Sequence, residues 1–289
     1  MEKNKPIGLE DDMIRAVVTL GPTDESIDDV MKITNMSTGF LGTIIAQTLL
    51  SRDTQKRVLL WLVCNKTTYL INKVKIDALL EQGAQLVLIG GVKNGKRVTS
   101  ETQDMADELR ALFSQQKIDY LFHSAAVGDY TGTFATNASL LAKEIVAAIG
   151  QWQAAGESVS SEKIAEILQN PQNLFNQDAK MSSDEPGMIV RLGLTPKIIS
   201  HINSFAEAGG YTTKMVSWKL LSGVSEEELY NVALAHGRRN KSFLVVANDL
   251  DRISASEHWA MLINVATGAR TYAHTKEEIA NAICEATGL

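Results

Sequence analysis

Five short runs of the chain are apolar at nearly every position: "IRAVVTL" (14–20), "RVLLWLVC" (57–64), "QLVLIGG" (85–91), "IDYLFHSAAV" (118–127) and "SFLVVAN" (242–248). A strand covered on both faces has no polar side to show, so runs of this kind predict the buried strands of a parallel sheet. Between them the period changes. "STGFLGTIIAQTLLSR", "TSETQDMADELRALFSQQ" and "SEEELYNVALAHGRR" carry apolar residues at spacings of three and four, as amphipathic helices do. Helix-start residues stand ahead of them: Ser37, Thr38 and Ser100, and Ser225 with Glu228 three positions later. Strand, crossover helix, strand is the rhythm of a doubly wound, Rossmann-like α/β domain with a mostly parallel sheet, whose ligands sit beyond the carboxyl ends of the strands.

Two stretches depart from this rhythm. After Leu250, "HWAMLINVATGARTYAH" predicts a β-hairpin around "ATG", and "TKEEIANAICEATGL" a capped final helix. Residues 131–180 hold two helical patterns, "ASLLAKEIVAAIGQWQAAG" and "SSEKIAEILQN", followed by the polar "PQNLFNQDAKMSSDEPG". This is an excursion between core strands, expected to act as a lid or dimer contact within one domain spanning 1–289.

Composition narrows the field. The 289 residues are 45% hydrophobic and 21% charged with five prolines, a globular balance with little material for linkers. A net charge of −6 argues against binding a nucleic-acid backbone, which requires an excess of Lys and Arg, but leaves a local anion site open. Cys64 and Cys284 lie apart in apolar segments without metal or redox spacing, and are expected to be buried free thiols suited to a cytoplasmic protein. No run has membrane-spanning length, and "MEKNKPIGLEDDMIRAVV" lacks the apolar stretch of a signal peptide.

Chemistry concentrates in two places. In "ITNMSTGFLG" (33–42), Asn35 and the hydroxyls of Ser37 and Thr38 precede a helix start, where unpaired N–H groups and the positive dipole end favour an anion. Gly39 and Gly42 allow close approach there. Phosphate binding and plain helix capping with glycine packing both fit these ten residues. In "HSAAVGDY" (123–130), Ala125, Ala126 and Gly128 leave room at a strand's carboxyl end and Asp129 offers a carboxylate, for a ligand or merely for the next turn.

Taken together and in order, "VTLGPTDESID", "ITNMSTGFLG" and "HSAAVGDY", with "AKMSSDE", "LTPKIISHI", "SWKLL" and "VVANDL" later, resemble the phosphopantothenoylcysteine synthetase family of coenzyme A biosynthesis in its stand-alone form. The resemblance covers residues 14 to about 250. It implies a homodimeric ligase that joins cysteine to 4′-phosphopantothenate through an acyl-nucleotide, with Mg²⁺ accompanying the triphosphate. CTP serves most bacterial members and ATP the eukaryotic ones; the resemblance puts CTP first, although residue identities do not choose the base. It implies further that Asn35 donates its amide to the activated acyl group and that Gly21, Ser37, Gly39 and Gly42 surround the nucleotide phosphates. Ala125, Ala126 and Asp129 would line the pantothenate arm, Lys180 would reach the phosphates from a flap, and Trp218 and Asn248 would lie near the base. No metal ligand is assigned.

The sequence departs from the family pattern at Met31, where most members carry an Arg that reaches the substrate phosphate across the dimer, and at Leu221, where many carry Glu. Thr38 stands for a usual Ser and Ser26 for a usual Pro. These departures leave room for a non-catalytic nucleotide-binding protein on the same scaffold. A short-chain oxidoreductase is the weaker rival: Tyr69 and Lys73 in "YLINK" match its Tyr-x-x-x-Lys pattern but come too early in the strand order.

Overall fold

The computed structural model describes residues 13–52, 57–93, 96–98, 100–177, 180–181, 184, 186–254 and 257–289. The first twelve of the eighteen residues in "MEKNKPIGLEDDMIRAVV" lie outside these residues, as do four positions of "AKMSSDE". The elements follow in chain order: β1 (Ile14–Thr19), β2 (Asp24–Ser26), β3 (Lys32–Thr34), α1 (Phe40–Ser51), β4 (Val58–Asn65), α2 (Lys66–Ile71), α3 (Lys73–Glu81), β5 (Gln85–Ile89), β6 (Gly91–Lys93) and β7 (Lys96–Val98). Then come α4 (Thr102–Gln115), β8 (Tyr120–His123), β9 (Tyr130–Asn137), α5 (Ala138–Ala154), α6 (Ser161–Gln169), β10 (Met188–Leu194) and α7 (Ile198–Ala208). The chain finishes with β11 (Lys214–Leu221), α8 (Glu226–Arg239), β12 (Leu244–Asp249), β13 (Ala260–Asn264), β14 (Arg270–Ala273) and α9 (Lys276–Thr287).

The main sheet runs β14-β13-β12-β11-β8-β1-β4-β5. From β12 to β5 every pairing is parallel, and β13 and β14 close the edge as the antiparallel hairpin expected around "ATG". Among the parallel strands the order is the doubly wound one, with the first strand between the second and the fourth, so successive crossovers diverge to either side of β1 and β8. Side chains alternate between two cores. Ala16, Val18, Leu60 and Leu62 pack with Ile45, Leu49, Ile76 and Ile283 of the helices on one face. Val17, Trp61, Val63 and Leu121 pack with Met105, Leu109 and Ile202 on the other, and α8 extends that second layer through Leu229 and Ala233 against Val245. Cys64 and Cys284 are buried free thiols, as expected, and burial pushes their pKa values up to about 12 and about 11.

Four expectations need correction. The strand beginning at 118 is short: β8 ends at His123, so residues 124–127 leave the sheet as loop. The connection from β1 to α1, where the sequence shows no strand pattern, holds the β2/β3 hairpin, pairing Asp24 with Thr34. Ser37 does not cap α1, which starts at Phe40 with Gly39 in the left-handed N-cap position and no side-chain cap. Ser100 likewise donates to Asp24 (3.1 Å) while Glu101 caps α4, whereas Ser225 caps α8 as anticipated. The sequence reading also missed β11. The excursion extends from Tyr130 to Leu194, its stem a β9/β10 ribbon separate from the main sheet.

Gly42 seats α1 on β1. A Cβ there would stand 2.8 Å from Leu20 Cβ and 2.8 Å from Ser124 Oγ, in a close-packed core with little slack. Gly42→Ala is expected to lower unfolding free energy by roughly 1–3 kcal/mol, as overpacking does; urea denaturation of both proteins measures this.

Candidate active site

β1 and β8 pair in register so that Thr19 and His123, the last residue of each strand, stand side by side. Because the crossovers diverge here, this is the crevice where a doubly wound sheet takes its ligand. Residues 124–128 have left the sheet, and their backbone groups must be satisfied from elsewhere. Thr19 Oγ1 lies 2.9 Å from His123 Nδ1 and accepts the Ala125 N–H at 3.2 Å, while Ser124 Oγ donates to the Thr19 carbonyl at 2.6 Å. The Ala126 N–H donates to the Gly21 carbonyl (2.9 Å), and the Gly128 N–H to Thr23 Oγ1 (2.8 Å). Thr195 Oγ1 closes the set on the Gly128 carbonyl.

Asn35 arrives on the far side of the β2/β3 hairpin. Its Nδ2 donates to the carbonyls of Ala126 (3.0 Å) and Val127 (3.1 Å), so the two motifs singled out in the sequence are joined by this one amide. Beyond it, Ser37 Oγ accepts from the Gly39 N–H at 3.4 Å. The first backbone bond of α1 runs from the Thr43 N–H to the Gly39 carbonyl, which leaves the N–H groups of residues 40–42 without intrahelical partners. Their dipole end is suited to an anion.

Gly21 (φ +75°) and Gly39 (φ +76°) are both left-handed and both press on Thr68; a Cβ on Gly21 would fall 1.9 Å from Thr68 Oγ1. Their immediate role is thus close packing of the phosphate-type turn on α2, with a ligand contact still open to their backbone. Asn65, last in β4, caps α2 through Thr68 and donates to the Pro22 carbonyl (3.0 Å) and to Asp24 (3.2 Å). Asn72 donates to the Thr38 carbonyl at 2.7 Å. The sequence reading did not single out Thr19, Asn65, Thr68, Asn72 or His123. A usable signal existed for three of them: Thr19, Asn65 and His123 each end an otherwise apolar strand and are buried.

Lys180 is exposed, beside the turn that follows β2. Asp28, buried in that turn, accepts from the N–H groups of Met31 (2.6 Å), Val30 (2.7 Å) and Met181 (3.0 Å), and Gln177 donates to the Ile27 carbonyl (2.8 Å). Burial works to raise the Asp28 pKa, but the N–H groups of Met181, Met31 and Val30 and the charge of Lys180 together carry it below the ordinary value. One carboxylate therefore ties the Lys180 segment to the loop that carries Met31. Lys32 is not available in place of the family Arg, since it pairs with Asp24 at 2.7 Å.

The remaining candidates lie around this cluster. Asp129 is exposed and ion-paired with Lys197. Trp218 and Asn248 belong to β11 and β12, near their carboxyl ends; Asn248 spends its amide on the Trp259 carbonyl (2.8 Å), and among the described residues neither is hydrogen-bonded to Asn35. Tyr69 donates to Asp77 (2.9 Å), which also pairs with Lys73, so the Tyr-x-x-x-Lys pair is engaged along its own helices. Burial, with a smaller electrostatic contribution from neighbouring His236, pushes His123 down to about 4, so its ring is neutral at neutral pH.

Residues 12–81 match the sequence pattern of the DNA/pantothenate metabolism flavoprotein C-terminal domain. The structure is similar to that of the DNA/pantothenate metabolism flavoprotein from Streptococcus pneumoniae, with a TM-score of 0.67 and 27% identity, covering 95% of this chain and 98% of that one. The family pattern takes in residues 12–81, while the likeness to the solved structure extends over nearly the whole chain. The coenzyme A biosynthesis bifunctional protein CoaBC of Thermococcus kodakarensis is 23% identical to it over 266 residues; the match takes in 92% of this chain but only 49% of that protein, so the chain spans about half the length of the curated relative. A Cab2 variant, solved in complex with phosphopantothenate-cysteine, has a similar fold at a TM-score of 0.57 and 15% identity, covering 95% of this chain and 87% of that one.

Two outcomes follow. Asp28→Ala removes the acceptor for Met181, so trypsin is expected to cut after Lys180 several-fold faster than in the parent, by mass spectrometry of the fragments. Because His123 resists protonation only when folded, its contribution to stability is complete above pH 6.5 and is lost as the pH falls toward 4. The loss amounts to about 3 kcal/mol by urea unfolding, and a His123→Gln variant is expected to flatten that slope.

Proposed function

We propose that the chain is a phosphopantothenate–cysteine ligase. A carboxylate is a poor electrophile, so the 4′-phosphopantothenate carboxylate attacks the α-phosphorus of a nucleoside triphosphate and releases pyrophosphate. The cysteine amine then displaces the nucleoside monophosphate from the acyl carbon. Neither step needs a protein nucleophile; both need alignment and charge neutralisation. The observation that carries this reading is the meeting of the α1 N-terminus with the 124–128 loop, clamped by Asn35 at the switch point of the sheet.

In this reading the N–H groups at the start of α1, with Ser37 and Thr38, receive the phosphates, and Gly21, Gly39 and Gly42 keep Cβ atoms out of the approach. Lys180 offsets the charge that develops on the phosphates. Ala125, Ala126 and Asp129 line the acyl arm, and Trp218 and Asn248 border the base. CTP is the proposed nucleotide ahead of ATP, and Mg²⁺ arrives with it as part of the substrate. Among the described residues no group of three or more His, Cys, Asp or Glu side chains converges on a metal position.

The proposal extends to a homodimer joined through the Tyr130–Leu194 excursion, which exposes Val146, Leu168, Leu192 and Leu194, and to a cytoplasmic protein. Among the described residues no helix is long and apolar enough to cross a membrane. Met31 favours a second reading, nucleotide binding without turnover, because no cation stands at that position.

Pyrophosphate release with phosphopantothenate, cysteine, Mg²⁺ and either CTP or ATP separates the two. Turnover with ligated product is expected, and nucleotide binding without turnover would establish the second reading. Lys180→Ala is expected to lower kcat by about 100-fold, the scale of losing one charge-stabilising donor; an unaltered rate removes Lys180 from the mechanism.

A further inference from the structure

We infer that Lys75 and Lys276 form a seat for the two outer phosphates of the nucleoside triphosphate, and for the pyrophosphate that departs from it. The inference rests on the ligase reading and deepens it. Lys75 Nζ lies 3.7 Å from the centre of the Phe40 ring, and Lys276 Nζ lies 5.5 Å from the same centre. Phe40 opens α1, so its N–H is among those left without an intrahelical partner. Two ammonium groups from different helices therefore share one ring at the edge of the phosphate-type turn.

The fold brings them there from both sides, because α1 packs against α3 and against α9. Asn72, just ahead of α3, donates to the Thr38 carbonyl and so joins the start of that helix to the turn. β13 runs antiparallel to β12, and β14 to β13, so Ala273 ends level with the carboxyl end of β12 and α9 begins beside the crevice. Lys75 stands in the first turn of α3, and Lys276 is the first residue of α9. Cations at these positions oppose the helix dipoles and repel each other. The neighbouring carboxylates do not offset them: Asp77 is held by Lys73 and Tyr69, and Glu278 accepts the His274 N–H at 2.7 Å. Both lysines are half-buried, and among the described residues neither has an ion-pair or hydrogen-bond partner. The ring attracts the two charges without neutralising them. The turn holds a second unsatisfied group, the Thr68 hydroxyl, which is buried against Gly21 and Gly39 with no partner.

Position decides which phosphates the lysines meet. Gly42 faces Leu20 and Ser124, toward the sheet and the 124–128 loop. Phe40, two residues earlier, projects about 200° away around the helix, so its ring and the two lysines lie on the outer side. With the α-phosphate at the N–H groups beside the loop, the β- and γ-phosphates lead outward to them. In the first half-reaction a carboxylate oxygen of the acyl substrate bonds to the α-phosphorus. The bond from that phosphorus to the bridging oxygen breaks, its electron pair leaves with pyrophosphate, and no proton is transferred. The negative charge gained by the leaving group develops next to the two ammonium groups.

Calorimetric titration of CTP and of CMP, each with Mg²⁺, into the parent protein, Lys75→Met, Lys276→Met and the double variant separates the outer phosphates from the inner one. Met keeps an apolar stem and removes the charge. Each single variant is expected to weaken CTP binding about tenfold, the scale of one charge-assisted contact, and the double variant to weaken it further, with CMP affinity unchanged within about twofold. Arg at both positions is expected to restore CTP affinity. If the double variant keeps the parental ratio of CTP to CMP affinity and loses only stability in urea, the lysines merely cover Phe40 and the inference is overturned. The ligase reading is judged on the parent alone: binding of CTP with no pyrophosphate release from phosphopantothenate and cysteine defeats that reading, while the two affinities still decide the seat. A parent that binds neither CTP nor ATP overturns both.

Discussion

The site depends on how five residues of bare loop, 124–128, are kept in one conformation at the exposed end of a buried sheet. A loop in that position cannot satisfy its own backbone, and each unsatisfied group out of water costs on the order of 1–3 kcal/mol. Here the partners come from segments distant in sequence: Thr19 and Gly21 from the end of the first strand, Thr23 and Asn35 from the hairpin after it. The first connection of the fold is long because it must reach across β8 and supply those partners. A short glycine turn of the dinucleotide-binding kind would place a helix here but nothing to hold the loop.

That arrangement explains what the sequence could and could not disclose. The parallel strands and the hairpin at the edge announced themselves through their hydrophobic periodicity, and the two motifs of the crevice through unusual density of small polar residues. β11 was obscured because Lys214, Ser217 and Lys219 break its apolar run, although it lies in the middle of the parallel sheet with Val216 buried. The start of α1 was misplaced by three residues for a steric reason: the left-handed Gly39 is needed to lie against Thr68, and that contact is invisible to local capping rules. Asn65, Asn72 and Asp28 look like ordinary surface residues in one dimension. Their role follows only from which carbonyl or N–H the fold brings to them.

Asn35 illustrates the limit most directly. Residue type and resemblance located it, but an amide carries both donors and an acceptor, and which end a ligand meets is decided by neighbours more than ninety positions away. The excursion is a comparable case. Its helices were plain from periodicity, but the ribbon of β9 and β10 that sets it apart from the main sheet depends on pairing between strands more than fifty residues apart.

The two buried sulfurs bear on the handling of a thiol-bearing amino acid. Exchange between thiols and disulfides proceeds through the thiolate, and with acid constants near 12 and 11 neither Cys64 nor Cys284 supplies one at neutral pH. Under the ligase reading proposed above, cysteine held at the crevice would meet no thiolate from either residue. The same apolar packing that builds the sheet withholds both sulfurs from mixed-disulfide formation.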